Sequence, residues 1–266
     1  MTHAVSAVGL AGVAVAAAGY GAAVWAGRQR GRTWPARRSA WFALGLAGVA
    51  LSLAPPVMYA AHQGLVAHMV QHVALAMLAP LALVLGAPVT ALLRGLPATA
   101  ARRLARALRS RFVRVVSHPA AALVLNVGGM AALYATPLYG AMHDSAGVSA
   151  AVHGHLLAAG YLFCWSILGG PDPAPHPVSL RVRLGALVAA IAAHAILSKQ
   201  LAIQGWPAGY PAAETLAAAQ VMYYGGDLAE ALLLATLLAG WYRQRRARER
   251  LDARAGAALA VGTARP

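Results

Sequence analysis

Long apolar segments, separated by gaps that are alternately rich in arginine and free of it, constrain this chain more than any other feature. Each segment is long enough to cross about 30 Å of hydrocarbon. The arginines lie almost entirely in the gaps 27–38, 94–118 and 171–183 and in the tail from residue 243. Because positively charged loops stay in the cytoplasm, the pattern predicts an all-α polytopic membrane protein. The expected fold is a seven-transmembrane-helix bundle with its N-terminus outside and its C-terminus cytoplasmic. The predicted spans are 4–26, 39–60, 64–92, 119–138, 149–170, 182–203 and 214–241.

The composition agrees with a membrane protein. Hydrophobic residues make up 60% of the chain and charged residues 11%, whereas a soluble domain carries about 25% charged residues. A net charge of +15 would indicate nucleic-acid binding in a soluble protein. Here the arginines flank apolar segments, so we expect them to contact lipid headgroups and to set the topology, with no nucleic acid bound.

The gaps leave no room for a folded soluble domain, so residues 1–242 are expected to form one membrane domain, followed by a basic cytoplasmic tail, 243–266. The first apolar segment lacks a charged leader and is long enough to span, which favours a transmembrane helix over a cleaved signal peptide. Residues 101–116 predict an amphipathic helix at the cytoplasmic interface. In the long third segment, we expect Pro80 and the turn 86–88 to kink or end the helix.

Histidines concentrate on the side of the membrane that lacks arginines. Only His118 and His176 fall on the arginine-rich side. Ionisable side chains within a membrane cost free energy, so their collection at one face is a functional signal. The eight histidines in outer loops or the outer halves of spans are His3, His62, His68, His72, His143, His153, His155 and His194.

Several of these histidines are candidate metal ligands. His68 and His72 lie four residues apart on one helix face, so both imidazoles can reach one ion. His153 and His155 point in different directions, so only one of them is expected to face the bundle. Hydrogen bonding of these imidazoles to neighbouring backbone carbonyls is the alternative explanation. The full set of candidate ligands is His68, His72, His153, His155, His194 and Met69.

A polar stripe on the seventh span provides candidate partners for metal-bound imidazoles or a proton relay. Its members follow helical spacing, and Glu230 lies three residues beyond the last of them. The alternative is that Asp227 is a buried, protonated acid that holds helices together. Together with Gln71 of the third span, the candidates for this supporting role are Gln71, Gln220, Tyr223, Tyr224 and Asp227.

The types of ligand favour copper. Imidazole combined with thioether, without cysteine, suits copper and especially Cu(I). Zinc, the alternative, more often takes cysteine or a carboxylate beside histidine. The single cysteine, Cys164, lies about 22 Å from the outer end of the fifth span, which is too deep to join the outer histidines.

Three segments resemble the multi-span CtaG family of cytochrome c oxidase assembly factors. The run AHMVQHVALAMLAPLALVLGAP (67–88) is similar to the family's signature. Segment 138–173 resembles its second block, in which a histidine opens a helix that ends near Gly-x-Asp-Pro. Segment 217–233 resembles its last block, although Tyr-Tyr-Gly-Gly-Asp stands where the family often has methionine or tryptophan. The positions that match family motifs are His68, Met69, Gln71, His72, one of His153 and His155, and Gln220.

The resemblance implies a role in maturing a haem–copper oxidase by binding copper at outer-face histidines and passing it on. It implies a multi-pass protein of the bacterial plasma membrane, in contact with lipid. The implied partner is an oxidase subunit or another copper protein, and a homodimer is compatible with this role. The resemblance also implies that the protein is not an enzyme.

Three other functions are compatible with the residues. An intramembrane zinc-dependent hydrolase could use histidines and an aspartate, but position 69 is methionine where zinc proteases have glutamate, and Asp227 lies deep. A b-type haem electron carrier could use His72 and His194. A scaffold would use the histidines only to bind neighbouring helices.

Overall fold

We describe a computed structural model that covers residues 2–170, 172 and 178–263, with side chains described as far as Leu251. Across these residues, all regular secondary structure is helical. His176 lies outside the described residues, as do positions 171 and 173 of the segment 138–173. The helices are α1 (Thr2–Gln29), α2 (Ala36–Ser52), α3 (Pro55–Gln63), α4 (Leu65–Val73), α5 (Ala79–Leu85), α6 (Pro88–Gly95), α7 (Ala98–Leu108), α8 (Arg111–Val116), α9 (Pro119–Ala135), α10 (Leu138–Asp144), α11 (Ala146–Leu168), α12 (Leu180–Gln204) and α13 (Ala212–Thr263).

Five helices in the described part of the chain are long and apolar enough to cross a membrane, and the number rises to seven if each of two bent pairs is one span. The pair α2 and α3 is bent by 53°, and the pair α9 and α10 by 77°. Prolines explain both bends, because Pro55 and Pro56 open α3 and Pro137 precedes α10. The prediction of an all-α polytopic membrane protein is therefore confirmed.

Helix boundaries differ from the predicted segments in three places. The third apolar segment ends as a helix at Leu85, because Ala87 adopts a left-handed conformation (φ 53°) and Pro88 begins α6. The amphipathic segment 101–116 forms two helices instead of one, since Ser110 accepts a hydrogen bond from the Val113 amide and starts α8. The predicted tail from 243 begins as a direct continuation of α13.

The α4–α5 helix lies at the centre of the bundle and is not a regular α-helix. A π-helical turn, Ala74–Leu78, joins its two halves. Pro80 has no N–H to donate to the carbonyl of Ala76, so this oxygen is released from the regular helical pattern. The Ala76 oxygen packs directly against Gly160 of α11, where a Cβ atom would overlap it. Glycine at position 160 therefore permits the close approach of α11 to the central helix.

A buried carboxylate supports the arginine-rich end of the bundle. Asp172, which is fully buried, accepts hydrogen bonds from the backbone N–H groups of Val89 (2.8 Å) and Thr90 (2.7 Å) in the first turn of α6. Ala87, at the start of this helix, offers no side-chain acceptor. Burial raises the pKa of Asp172, while the hydrogen bonds from Thr90 and Val89 oppose that rise. Asp172 thus caps α6 from a distant part of the chain.

Replacing Asp172 with alanine is expected to destabilise the protein by about 2–4 kcal/mol, because two partly buried N–H groups lose their acceptor. Thermal unfolding of the purified protein in detergent measures the effect. Asp144→Ala is the matched control, since Asp144 is exposed, and it should change stability by less than about 0.5 kcal/mol. Equal stability of the two variants would show that Asp172 does not cap α6.

Candidate metal centre

A small cavity at one end of the bundle is lined by imidazoles and thioethers. Thr2, at the start of α1, lines it, whereas Arg28 lies at the other end of the same helix, about 40 Å away. The cavity is therefore at the end opposite the arginines. Its volume of about 20 Å³ is enough for one water molecule or one ion. The metal-ligating side chains that line it are Met58, His62, His68, Met142, His143 and His153.

These six side chains come from four helices. Met58 and His62 are four residues apart on α3, and His68 lies on α4. Met142 and His143 are neighbours on α10, and His153 lies near the start of α11. The bends that separate α3 from α2 and α10 from α9 redirect both short helices, so their side chains reach a cavity that straight spans would not form.

Hydrogen bonds orient two of the imidazoles for metal binding. The Nδ1 atom of His143 lies 2.9 Å from the carbonyl oxygen of Tyr139, and that of His153 lies 2.7 Å from the carbonyl oxygen of Ser149. A carbonyl only accepts, so each Nδ1 carries the proton and each Nε2 carries a lone pair. Backbone carbonyls hold many metal-binding histidines in this way. Nε2 of His143 is buried and has no hydrogen-bond partner among the described residues.

The other ligand candidates are also held in place. The rings of His62 and His143 stack with their centroids 4.3 Å apart. Nε2 of His68 lies 3.2 Å from the Tyr134 hydroxyl. Gln71 donates through Nε2 to the Ser52 carbonyl (2.7 Å) and to the Met58 sulfur (2.9 Å). Gln71 therefore holds a thioether at the cavity.

Within the described ranges, no three His, Cys, Asp or Glu side chains are grouped so that they could hold a metal ion together. The predicted histidines do not meet at one point. His68 reaches the cavity, while His72, one turn further along α4, does not line it. The histidine-lined cavity is thus a cluster of ligands around a space and not a formed coordination sphere.

His72 and His194 belong to a second polar cluster deeper in the bundle. Both ring nitrogens of His72 and the Nε2 atom of His194 are buried without hydrogen-bond partners in the described part of the chain. Nδ1 of His194 lies 3.8 Å from Oε1 of the buried Glu230. The His194 ring packs so closely on Gly226 that no Cβ would fit there. His72 lies within range of direct electrostatic interaction with His194 and His153.

Two predicted ligands lie outside both clusters. His155 is exposed, and its Nε2 atom lies 3.1 Å from the Leu125 carbonyl of α9. Of the two histidines that open α11, His153 therefore faces the bundle. Met69 is fully buried in a hydrophobic cluster with Met130 and Met222 and does not line the cavity.

Most of the polar stripe of α13 faces away from the histidines. Gln220 and Tyr224 are exposed, and Tyr223 lies under the ammonium group of Lys199. Rotation of α13 explains this placement, because Met222 and Glu230 point inward instead. Asp227 is half-buried and within electrostatic range of His194 and Glu230. Gln220, Tyr223 and Tyr224 therefore make no contact of the predicted supporting kind.

Four of the cavity residues are absent from the ligand candidates predicted from the sequence: Met58, His62, Met142 and His143. The spacing of Met58 and His62, four residues apart, is the signal that could have indicated a shared helix face. Met142 and His143 carry no such signal, because the fold of α10 alone brings them to the cavity.

Comparisons with known proteins agree with this architecture. The family model of the cytochrome c oxidase caa3 assembly factor matches residues 18–244. Two uncharacterized relatives, Mb0105 of Mycobacterium bovis and MT0111 of Mycobacterium tuberculosis, are each 36% identical over 203 residues, which are 71% of this chain and 30% of the relative. The uncharacterized protein ML1998 of Mycobacterium leprae is 28% identical over 244 residues, 82% of this chain and 36% of its own length.

The chain thus spans about a third of the length of these relatives. No solved structure matches it. The family match covers the central helix, the metal-ligating residues of the histidine-lined cavity and most of α13. The resemblance seen in the sequence is confirmed, and the chain belongs to the family of cytochrome c oxidase caa3 assembly factors.

Proposed function

We propose that this protein supports oxidase assembly by holding one Cu(I) ion in the histidine-lined cavity and passing it to an oxidase subunit. One observation carries the proposal: four imidazoles and two thioethers from four helices surround a space the size of a single ion. Copper is cargo in this role, so the protein binds and releases it without turnover.

The lining favours Cu(I) over harder cations. Thioether and imidazole are ligands that soft Cu(I) accepts, whereas carboxylates suit Zn²⁺, Mg²⁺ and Ca²⁺ better. The described lining contains two methionines and four histidines but no carboxylate. The lone pairs on Nε2 of His143 and His153 need no deprotonation step before they bind the ion.

The stacked rings of His62 and His143 must separate before both can bind one ion, and His68 must release the Tyr134 hydroxyl. Binding therefore requires side-chain rotation, and transfer reverses it. Part of the binding free energy is used to rearrange these side chains, so the ion is held less tightly than in a rigid, preformed centre. Such a site suits labile exchange.

The proposal includes a topology. We assign seven spans, with each bent pair counted as one, in a bacterial plasma membrane. The arginine-rich end faces the cytoplasm and the histidine-lined cavity faces outward, in accordance with the positive-inside rule. The N-terminus is then outside, and Cu(I) would reach the cavity from the outer aqueous phase. A transmembrane oxidase subunit would meet the protein in the same membrane.

Anaerobic titration of the purified chain in detergent tests the proposal. We expect one Cu(I) per chain, with both nitrogen and sulfur neighbours in X-ray absorption spectra. Met58→Leu combined with Met142→Leu should remove the sulfur signal and weaken Cu(I) binding at least about tenfold, because a soft ion loses its soft ligands. Zn²⁺ binding should not respond to this change.

Met69→Leu is the matched control, since Met69 is a buried methionine outside the cavity, and it should leave Cu(I) affinity unchanged. A protein that binds no Cu(I), or binds it with the same sulfur signal after both cavity methionines are replaced, would refute the proposed site.

A further inference from the structure

A second cavity, at the arginine-rich end of the bundle, has the properties of an anion-binding site. Its volume is about 320 Å³, and it lies between the start of α2, the ends of α5 and α11, and α13. Arg37, Arg38 and Arg243 line it, and Trp41 contributes an aromatic ring. We call it the arginine pocket. It is separate from the histidine-lined cavity, and its function would be independent of copper.

The three arginines have no acidic partner within the described residues. The ion pairs there are His194–Glu230 and Arg245–Glu249, and neither involves the pocket. Asp172 is within electrostatic range of Arg38, but its two carboxylate oxygens accept hydrogen bonds from the N–H groups of Val89 and Thr90. Among the described residues, no carboxylate forms an ion pair with these arginines, so the pocket concentrates positive charge.

The chemistry of the lining indicates a phosphate group. Guanidinium groups bind phosphate through paired, charge-assisted hydrogen bonds. Thr236 and Gln244 add neutral polar groups, while Leu85 and Leu168 provide an apolar surface. An anion that carries an apolar portion matches both parts of this lining better than a small, fully hydrated one.

The position of the pocket favours a phospholipid as the source of that phosphate. Trp41 is 43% exposed, and aromatic side chains of this kind mark the headgroup level of a bilayer. The cavity has roughly ten times the volume that a water molecule occupies in the liquid, about 30 Å³, so a phosphate can enter together with its ester groups.

We propose that the arginine pocket binds a phosphate group, carried by an anionic phospholipid headgroup between α2 and α13. Such a lipid would link the first residues of α2 to residues 236–244 of α13. Free phosphate offers the same charged group without the apolar portion, so the two sources can be distinguished by experiment.

Native mass spectrometry of the full chain in detergent tests the proposal with short-chain phosphatidylglycerol and phosphatidylcholine. Calorimetric titration with inorganic phosphate forms the second arm. The variant Arg37→Gln/Arg38→Gln/Arg243→Gln should lose phosphatidylglycerol affinity at least about tenfold, because basic side chains at a membrane surface each contribute to anionic lipid binding. Phosphatidylcholine binding should not change.

The control variant Arg102→Gln/Arg103→Gln/Arg106→Gln removes the same charge from exposed positions of α7 outside the pocket. Its phosphatidylglycerol affinity should stay within about twofold of that of the unmodified protein. Arg37→Gln/Arg243→Gln changes only exposed residues and leaves Arg38 against the Trp34 ring. This double variant keeps the test decisive if the triple variant does not fold, and we expect it to weaken binding at least about threefold.

Loss of binding in the pocket variants but not in the control variant supports a phosphate site. Loss of phosphatidylglycerol binding identifies the lipid as the source, and loss of inorganic phosphate binding alone identifies free phosphate. An equal loss in the pocket and control variants would show that only net charge attracts the lipid and would overturn the proposal. Absence of both phosphatidylglycerol preference and phosphate binding in the unmodified protein would overturn it as well.

Discussion

Protein in which His68 and His153 are both replaced by alanine is expected to retain almost no Cu(I). The two imidazoles reach the cavity from α4 and α11, and their removal leaves two thioethers and the imidazoles of His62 and His143, whose rings stack on each other. Mutation of residues that only support a metal ligand already lowers metal affinity about 10–100-fold. Loss of two ligands should therefore cost at least about 100-fold, measured by anaerobic competition with a chromophoric Cu(I) chelator.

His155→Ala is the matched control for this experiment. His155 lies two residues from His153 on the same helix, but it is exposed and its ring faces the Leu125 carbonyl. Its replacement should leave Cu(I) affinity unchanged.

His72→Ala distinguishes the histidine-lined cavity from the deeper cluster. His72 lines no part of the cavity, although it lies within electrostatic range of His153 as well as of His194 in the deeper cluster. If His72→Ala abolishes binding while the His68 and His153 double variant retains it, the ion occupies the deeper cluster and our assignment is wrong.

Replacing Gly160 with alanine is expected to destabilise the bundle strongly. The new Cβ atom would overlap the carbonyl oxygen of Ala76, which belongs to the π-helical turn of the central helix. Backbone atoms cannot move aside as a flexible side chain can, so α11 must shift away from α4–α5. Overpacking of this kind costs about 1–3 kcal/mol and occasionally more, and we expect the upper part of that range.

Gly154→Ala provides the comparison on the same helix. A Cβ atom at Gly154 meets nothing within 4 Å, so alanine should stabilise α11 by up to about 1 kcal/mol through helix propensity. Thermal unfolding in detergent gives both values. Similar midpoints for the two variants would mean that α11 does not approach the central helix as closely as described.

The displacement of α11 also has a functional consequence. His153 lies on the same helix as Gly160, about two turns away, and it is one of the ligands at the cavity. Gly160→Ala protein that still folds should therefore bind Cu(I) more weakly. Reduced affinity without any change in the cavity residues would show that the packing of α11 positions His153.

The sequence was sufficient to predict the helical, membrane-spanning nature of the chain, because bilayer thickness directly determines how long an apolar helix must be. The end of the central helix near residues 86–88 was expected from the sequence because of Pro88, whereas the left-handed backbone of Ala87 is seen only in the structure. The 53° and 77° bends were not predicted, although Pro55 and Pro137 stand at them. A proline indicates where a helix breaks, but the direction of the next helix depends on what it packs against.

The candidate site was predicted only in part for the same reason. The concentration of histidines on one side and the pairing of His68 with His72 can be read from spacing alone. Helical spacing shows which residues share a face, but it does not show which neighbour that face meets. In the structure His68 lines the histidine-lined cavity, whereas His72 does not line it and lies within electrostatic range of both His194 and His153.

Sequence alone determined the class of this protein, its apolar helices, its charge asymmetry and its family, since these depend on composition and local order along the chain. Tertiary structure decided that His153 and not His155 faces inward, that Gln220 and Tyr224 face outward, and that Met58, His62, Met142 and His143 reach the cavity. The physical reason is that the rotation of a helix about its axis and its bend are fixed by packing against other helices. Residues far apart in sequence, such as Ala76 and Gly160, set that packing.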